Sequence, residues 1–242
     1  MQEINKILNN RKEIVFLDFE GTQITQEIIA IGAIKVTLDA KNQIKSKSNP
    51  FRVYVKARGK VGRIVKNLTG IDDQLLKEQG VTFKEAFERL RKYVGKNVDK
   101  YLYCTYGNYD MRMLHVTSEI NMMNEDSLVQ AILHHYWDFS ATFTKYIKSA
   151  RNEQLSLKDG LKVFKLSFEG EEHDPSFDAV NLMRLYDAFL TQKGTVLTEY
   201  KKTLDRYNKM PRPFQKVMRK LNTDDSITKE EYINFIIEEL KW

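Results

Sequence analysis

Two acidic residues stand at the end of an apolar run near the start of the chain. Residues 15–17 are apolar, Asp18 and Glu20 follow on either side of Phe19, and a Gly-Thr turn comes next at 21–22. Residues two apart in an extended chain point to the same face, so both carboxylates can converge on one point. Their repulsion is relieved by a hard divalent cation, which prefers oxygen ligands. A strand end with two solvated acids is the alternative.

Two later stretches supply further groups that bind metals or accept protons. Residues 101–106 have the composition of a second strand, and Asp110 follows it after a turn. Far downstream, His173 and Asp178 come just before residues 179–186, whose apolar spacing predicts a helix packed on a core. Carboxylates at a strand end, a turn and a helix start, with a histidine near the last one, favour a metal site.

A mixed sheet is predicted to position these groups. Residues 27–38 and 51–55 have strand composition and need only turns between them, which favours antiparallel pairing. The run near 101–105 is separated from them by helical patterns, which favours parallel pairing. Apolar spacing also predicts amphipathic helices around residues 83–94 and 155–164, with their apolar faces in the core.

The composition indicates a soluble intracellular protein. The chain has 242 residues, of which 42% are hydrophobic, enough for a sizeable core. The first dozen residues lack the apolar core of a signal peptide, and the longest apolar stretch, 28–34, is far too short to cross a bilayer. A single cysteine, Cys104, permits no intrachain disulfide and is predicted to lie in the core. A cytoplasmic location and no membrane partner are therefore expected.

The order of these motifs resembles a known enzyme superfamily. The chain has D-x-E first, then a distant Asp after an aromatic residue, and then H-x4-D. This order of motifs is similar to that of the DnaQ-like (DEDDh) 3′-to-5′ exonucleases. Residues 18–22 (DFEGT) and 104–111 (CTYGNYDM) resemble the branch of KapD-type and eri-type RNA exonucleases, except that glycine replaces an alanine and tyrosines replace two tryptophans. The resemblance spans roughly residues 12–190. It implies an α/β, ribonuclease H-like fold with a mixed five-stranded sheet flanked by helices.

The resemblance also implies a mechanism. Phosphodiester hydrolysis needs a strong nucleophile and stabilised charge on the attacking and leaving oxygens, which two metal ions about 4 Å apart can supply. Asp18 would bridge two Mg²⁺ or Mn²⁺ ions, Glu20 and Asp178 would complete the site of the nucleophilic water, and Asp110 would hold the second ion. His173 would be the general base, since an imidazole accepts a proton near neutral pH. A solvated loop histidine is the alternative for His173.

Further residues are assigned to helix capping and to the substrate. Asp174, just before a proline, is predicted to cap a helix rather than to bind metal. Residues 67–71 (NLTGI) are predicted to form a turn, with Asp72 capping the next helix. In the superfamily, L-T-G-I contacts the terminal nucleotide. The substrate-binding residues implied by the resemblance are Phe19, Gly21, Thr22, Leu68, Thr69, Asn108 and Tyr109.

Positive charge is concentrated in two segments, 41–66 and 201–220. Between residues 40 and 70 there are nine Lys and Arg residues and no acid, although the whole chain carries only +6. Aromatic residues are interleaved with the second segment. Both segments suit a nucleic-acid strand, because cations bind phosphates and rings stack on bases. A lysine-rich sheet edge and a docked amphipathic appendage are the alternatives.

The sequence thus predicts a metal-dependent 3′-to-5′ exonuclease acting on single-stranded RNA or DNA 3′ ends. RNA is favoured by the branch resemblance alone. The exonuclease domain would comprise residues 1–191, and residues 192–242 would form a small, basic, helical C-terminal extension. A DNA proofreading-type exonuclease and a non-catalytic RNA- or protein-binding module are the two alternatives. The sequence does not determine the oligomeric state.

Overall fold

The chain forms two compact units. A computed structural model describes residues 2–206, 210–223 and 226–240. The first unit comprises Met1–Thr142 and Ser156–Thr191, and the second comprises Phe143–Leu155 and Gln192–Trp242. Residues 143–155 thus cluster with the second unit and not with the part of the chain that surrounds them. The functional boundary after residue 191 stays a prediction.

A mixed sheet lies at the centre of the first unit. Its strand order is β3-β2-β1-β5-β6, with β4 also paired to β2. The pairs among β1 to β4 are antiparallel, whereas β5 pairs in parallel with β1 and β6, as predicted. The sheet has six strands where five were predicted. The strands are β1 (Glu13–Gly21), β2 (Ile28–Leu38), β3 (Ile44–Lys47), β4 (Phe51–Tyr54), β5 (Leu102–Thr105) and β6 (Tyr136–Asp138).

Helices flank the sheet and build the second unit, and no helix of the described residues is long and apolar enough to span a bilayer. A short 3-10 helix covers Val98–Lys100. The α-helices are α1 (Gln2–Leu8), α2 (Arg63–Thr69), α3 (Asp73–Gln79), α4 (Phe83–Val94), α5 (Tyr109–Ile120), α6 (Ser127–His134), α7 (Phe139–Tyr146), α8 (Leu157–Val163), α9 (Pro175–Thr191), α10 (Lys193–Asp205), α11 (Arg212–Asn222) and α12 (Lys229–Leu240).

Several local predictions are confirmed. Asp72 caps α3 by accepting the N–H of Leu75 at 2.9 Å. Gly70 ends α2 with a positive φ of 71° and donates its N–H to Lys66, which is the predicted turn. The apolar face of α4 is buried, and Cys104 is a free, buried thiol. Local capping and apolar periodicity therefore fix much of the secondary structure.

Successive side chains of β1 point alternately to the two faces of the sheet, and each face is covered by different helices. Val15 and Leu17 pack in a core cluster with residues of α4, α5 and α6. Phe16 points to the other face, where its ring lies 5.5 Å from that of Tyr186 in α9. Asp18 is two residues beyond Phe16 and shares its face. The two acids at the end of β1 are thus turned toward α9.

The start of α9 comes very close to the sheet at Gly32. This glycine lies in β2, directly opposite Asp18 in the pairing register. A Cβ built on Gly32 would lie 1.9 Å from the carbonyl oxygen of Pro175 and 2.5 Å from the nitrogen of Ser176. Only glycine leaves room for the helix backbone here, so α9 can approach the row of β1 that carries Asp18.

We therefore expect Gly32→Ala to displace the start of α9. The added methyl would meet backbone atoms that cannot rotate away, and overpacking of this kind costs about 1–3 kcal/mol of unfolding free energy. Urea denaturation followed by circular dichroism measures the change. Gly194→Ala is the control, because no atom lies within 4 Å of the corresponding Cβ. Equal stability of the two variants would contradict the close approach.

Candidate active site

Four carboxylates come together from three elements of the first unit. Asp18 and Glu20 end β1, Asp110 is in the first turn of α5, and Asp178 is in the first turn of α9. The backbone N–H of Phe19 donates to Asp110 Oδ1 at 2.9 Å and ties α5 to β1. The structure thus brings together the four acids that the sequence separates by up to 160 positions.

Burial and mutual repulsion raise the pKa values of these acids. Loss of hydration raises the pKa of Asp18 well above its ordinary value, and the charges of Asp110, Asp178 and Glu20 raise it further. Burial is also the main reason why the pKa of Glu20 rises to about 8 and those of Asp110 and Asp178 to about 7. A cation bound among these acids would lower their pKa values again, because an opposite charge favours the ionised form.

His173 lies at the open side of the cluster. Its side chain is 46% exposed, and its Nδ1 is 3.9 Å from Glu20 Oε1. Its backbone has a positive φ of 66°, and its N–H donates to Asp178 Oδ2 at 3.0 Å. Glu20, His173 and Asp178 offer potential ligand atoms that all lie within 4.8 Å of one another. The imidazole is thus beside two of the acids and open to solvent.

Asp174 has the capping role that the sequence predicts. Its Oδ1 accepts the N–H of Ser176 at 2.9 Å and the hydroxyl of the same residue at 2.6 Å, at the start of α9. Its other oxygen forms an ion pair with Arg52 of β4. The carboxylate is therefore occupied by the helix start and by an arginine.

Two of the seven predicted substrate-binding residues have buried side chains. Phe19 belongs to the core cluster, and Thr22 bonds through its hydroxyl to Thr25 and to the N–H of Glu27. Their backbone N–H groups are also used within the fold, by Asp110 and by the carbonyl of Glu27. Gly21 lies between them, and a Cβ there would be 2.4 Å from Met113 Sδ, which is a reason for glycine where the similar branch has alanine.

The other predicted substrate-binding residues differ in exposure. Leu68 and Tyr109 are about half exposed, at 54% and 49%, and Asn108 is exposed at the N-terminal end of α5. Thr69 is partly buried, with its hydroxyl donating to the carbonyl of Val65 at 2.9 Å. These apolar and aromatic surfaces lie on two separate helices of the first unit.

The loop after β1 links the end of that strand to α2. The N–H of Gln23 donates to the carbonyl of Val61 at 3.0 Å, and Gln23 Oε1 accepts the N–H of Ile64 at 3.2 Å. Ile64 and Leu68 are four residues apart on α2, and both are exposed. An exposed apolar helix face therefore borders the loop that follows the D-x-E strand.

The sequence did not identify Gly32 and Arg52 as residues of this site. A lone glycine inside the apolar strand β2 was a usable signal, because such a glycine often marks a close backbone approach. Arg52 was one of nine basic residues in its segment, and nothing local distinguished it. Its ion pair with Asp174 joins residues 122 positions apart. Only the tertiary structure reveals that contact.

Both basic segments carry fewer unpaired charges than their composition indicates. In the first, Lys60 pairs with Asp73 at 3.5 Å and Lys66 with Asp72 at 2.9 Å. In the second unit, Lys202 pairs with Glu199 at 2.6 Å, and acids of α12 pair with two lysines of α11; these pairs are Lys216–Glu238 and Lys220–Glu231. Residues 207–209 of the predicted segment 201–220 lie outside the described residues.

The fold and the site together define a class of protein. A mixed sheet flanked by helices, with acids from β1, α5 and α9 meeting at one end, is the ribonuclease H-like arrangement of exonucleases. The family model described as Exonuclease matches residues 15–186, most of the chain. The chain therefore belongs to this exonuclease family. No curated protein sequence matches it.

Solved structures with the same fold are nucleases. The nuclease domain of 3′hExo, a DEDDh family member bound to rAMP, is 16% identical with a TM-score of 0.60, over 77% of this chain and 95% of that one. The 3′-exonuclease that recognises the histone mRNA stem-loop is 16% identical with a TM-score of 0.59, over 76% and 84%.

The same fold occurs in a larger bacterial enzyme. The zinc-bound complex of E. coli ExoI with single-stranded DNA is 17% identical, with a TM-score of 0.59 over 85% of this chain. This chain covers 45% of that protein. At such identities the similarity of these structures concerns the fold.

The raised pKa values predict how metal-free stability depends on pH. An acid whose pKa is higher in the folded than in the unfolded state keeps its proton in the fold, so folding is opposed progressively as pH rises from about 5 to about 8. Each such carboxyl lowers the unfolding free energy by up to about 1.4 kcal/mol per pH unit. Urea titrations in EDTA at pH 5, 6, 7 and 8 measure the slope.

Asp18→Asn supplies the comparison for this slope. Removing the carboxyl that all three other acids of the cluster repel is expected to make the slope shallower and to raise the metal-free stability at pH 8. Glu85→Gln changes a half-exposed acid of α4 and should leave the slope as it is. If the unfolding free energy of the wild type falls with pH no more steeply than that of Asp18→Asn, the pKa of Asp18 is not raised in the folded protein.

Proposed function

We propose that this protein is a metal-dependent 3′-to-5′ exonuclease that releases nucleoside monophosphates from single-stranded 3′ ends, with RNA as the favoured substrate. The observation that carries the proposal is the cluster of Asp18, Glu20, Asp178 and the buried Asp110, with His173 at its open side. Membership of the exonuclease family supports it. Residues 1–191 would hold the activity, residues 192–242 would form a helical extension, and the cytoplasm would be the place of action.

The donor set fits hard divalent cations. Four carboxylates with raised pKa values lie in one place, and an all-oxygen set suits Mg²⁺ or Mn²⁺ better than zinc. We propose that Asp18 is shared between two ions, with Glu20 and Asp178 completing one ion's site and Asp110 the other. The bound ions would supply a nucleophile at neutral pH and stabilise charge on the attacking and leaving oxygens.

His173 is proposed to take the proton of the attacking water. Its position beside Glu20 and its open face to solvent give an incoming water access to the imidazole. The N–H of His173 donates to Asp178, which fixes the loop backbone relative to the carboxylate cluster. The chain thus holds the base next to the acids while leaving its ring accessible.

The terminal nucleotide would contact the exposed apolar side chains near the cluster. Leu68 of α2 and Tyr109 of α5 present surfaces on which a base or sugar can pack. Gly21, Thr69 and Asn108, with the backbone carbonyl oxygens of Phe19 and Thr22, would supply polar contacts. The structures of 3′hExo with rAMP and of E. coli ExoI with single-stranded DNA support a single-stranded end of either sugar type.

The basic segments are proposed as secondary contacts of the nucleic-acid strand. In segment 41–66, Lys60 and Lys66 already pair with acids of the chain, which leaves other lysines of the segment for phosphates. Segment 201–220 belongs to the second unit, where several of its lysines are paired as well. We therefore propose the first segment as the main phosphate contact.

Degradation of end-labelled oligonucleotides tests the reaction. We expect single-stranded RNA and DNA labelled at the 5′ end to give a ladder of shortened products with Mg²⁺ or Mn²⁺ and none with EDTA. The variant Asp18→Asn with Glu20→Gln should lose about a thousandfold in rate, because several kcal/mol of charge stabilisation disappear. A 3′ label should be released as a mononucleotide at once.

The controls separate the alternatives to this activity. Equal ladders on both sugars, or a preference for DNA, would contradict the proposed RNA preference and favour a proofreading-type substrate. Binding of all strands without degradation, by wild type and variant alike, would favour a binding module. Release of short oligonucleotides from the 5′ end would contradict the direction.

His173→Asn tests the general base. Asparagine tolerates a positive φ, so the loop backbone can keep its conformation while the imidazole is lost. We expect kcat to fall about 10²-fold to 10⁴-fold with KM changed by less than about threefold. His115→Asn, on the exposed face of α5, is the matched control and should keep full activity. An unchanged kcat in His173→Asn would remove the histidine from the mechanism.

A further inference from the structure

Both sequence neighbours of His173 are held by basic residues from other elements. Asp174 forms an ion pair with Arg52 of β4, and Glu172 forms one with Lys158 of α8. Residues 52 and 174 are 122 positions apart, and residues 158 and 172 are 14 apart. The loop that carries the histidine is thus attached to the fold on each side of it.

The remaining bonds of this loop lie mainly on the side of α9. Residues 171–173 are exposed, and Asp174 is partly buried. The N–H of Asp178 donates to the carbonyl of Asp174 at 2.9 Å, and Asp174 Oδ1 accepts the two bonds from Ser176. The N–H of His173 donates to Asp178 Oδ2, and the N–H of Asp174 donates to the carbonyl of Glu171 at 3.4 Å. Exposed segments with few buried contacts open easily, so the two ion pairs add side-chain anchors where the loop needs them.

The sheet register explains how Arg52 reaches the loop. Asp18, Gly32 and Arg52 lie opposite one another in one row across β1, β2 and β4, so their side-chain positions share a face. Gly32 has no side chain, and the start of α9 lies over it. Arg52 is at the end of this row and meets the helix start at Asp174.

The Arg52–Asp174 pair is the more sheltered of the two. The Asp174 side chain is 15% exposed, whereas Glu172 is 46% exposed. Arg52 also lies 5.4 Å from the ring of Tyr54, which restricts the guanidinium. Sheltered charge pairs are less screened by salt than exposed ones. Arg52 should therefore contribute more to holding the loop than Lys158.

We propose that Arg52 and Lys158 are positioning residues that hold His173 beside Glu20 and Asp178 through their ion pairs with Asp174 and Glu172. The consequence for catalysis rests on the proposed role of His173 as general base. The holding of the loop itself does not depend on that role, and it is tested separately.

Amide hydrogen exchange tests the holding of the loop. The variants are Arg52→Gln, Lys158→Gln and their combination, each of which removes charge and keeps most of the side-chain length. In the double variant, the peptide covering residues 171–178 should exchange about threefold to tenfold faster, with the smaller part of the effect from Lys158. The helix α4 peptide should be unchanged, and Arg89→Gln, which breaks a surface pair with Glu85, is the matched control.

Steady-state kinetics on a single-stranded RNA 3′ end test the consequence. We expect kcat of the double variant to fall about tenfold and KM to change by less than about twofold, because the base is misplaced while substrate contacts stay. Arg52→Lys should recover part of kcat. In a His173→Asn background the same substitutions should lower kcat no further, since they act through the histidine.

Two outcomes would overturn the inference. Unchanged exchange over residues 171–178 in the double variant would mean that the ion pairs do not hold the loop. A raised KM with unchanged kcat would mean that the two cations bind the substrate instead. The two proposals can also fail separately. If the wild-type protein has no nuclease activity but the variants still show faster amide exchange over residues 171–178, the proposed function is wrong and the attachment of the loop is supported.

Discussion

Repulsion among four carboxylates in a partly buried site is the constraint on which the structure depends. Without the surrounding fold, four such carboxylates would move apart or take up protons. The pKa values of Asp18, Glu20, Asp110 and Asp178 are raised because the fold keeps these groups together and partly out of water. The acids stay together because each is attached to an element with its own buried face. The packing of β1, α5 and α9 supplies the free energy that opposes the repulsion. A divalent cation bound to the native state would relieve it.

The same packing decides where the acids point. Phe16 and Asp18 share one face of β1, so the contact of Phe16 with Tyr186 that attaches α9 to the sheet also turns Asp18 toward this helix. Gly32 then lets the first turn of α9 approach the neighbouring strand closely. Asp178 follows one turn into the helix. The elements that form the core are therefore the same elements that place the acids of the candidate active site.

Part of the positive charge in both basic segments is paired with acids of the same unit. Arg52, Lys60 and Lys66 belong to the basic segment that the sequence marks for nucleic acid, yet each contacts a carboxylate of the first unit. In the second unit, lysines of α11 face acids of α12. A count of basic residues along a sequence thus overstates the positive surface available to phosphates. It also hides the arginine that borders the candidate active site.

The sequence by itself identified the candidate residues of the site and many of the local elements that carry them. D-x-E at a strand end, an aspartate after a turn and H-x4-D at a helix start carry their signal within a few residues, and so does the cap at Asp72. The mixed pairing of the sheet followed from whether turns or helical patterns separate the strands. These features depend on periodicity and capping, which are local properties.

Only the tertiary structure decided the remainder. The short strands β3 and β6 are too brief to show alternation, and the sixth strand was therefore not predicted. Three contacts of the tertiary structure join residues far apart in the chain. These are the close approach of α9 to Gly32, the hydrogen bond from the N–H of Phe19 to Asp110, and the ion pair of Arg52 with Asp174. Such contacts follow from how the layers pack, because proximity across a sheet leaves no periodic trace in the sequence.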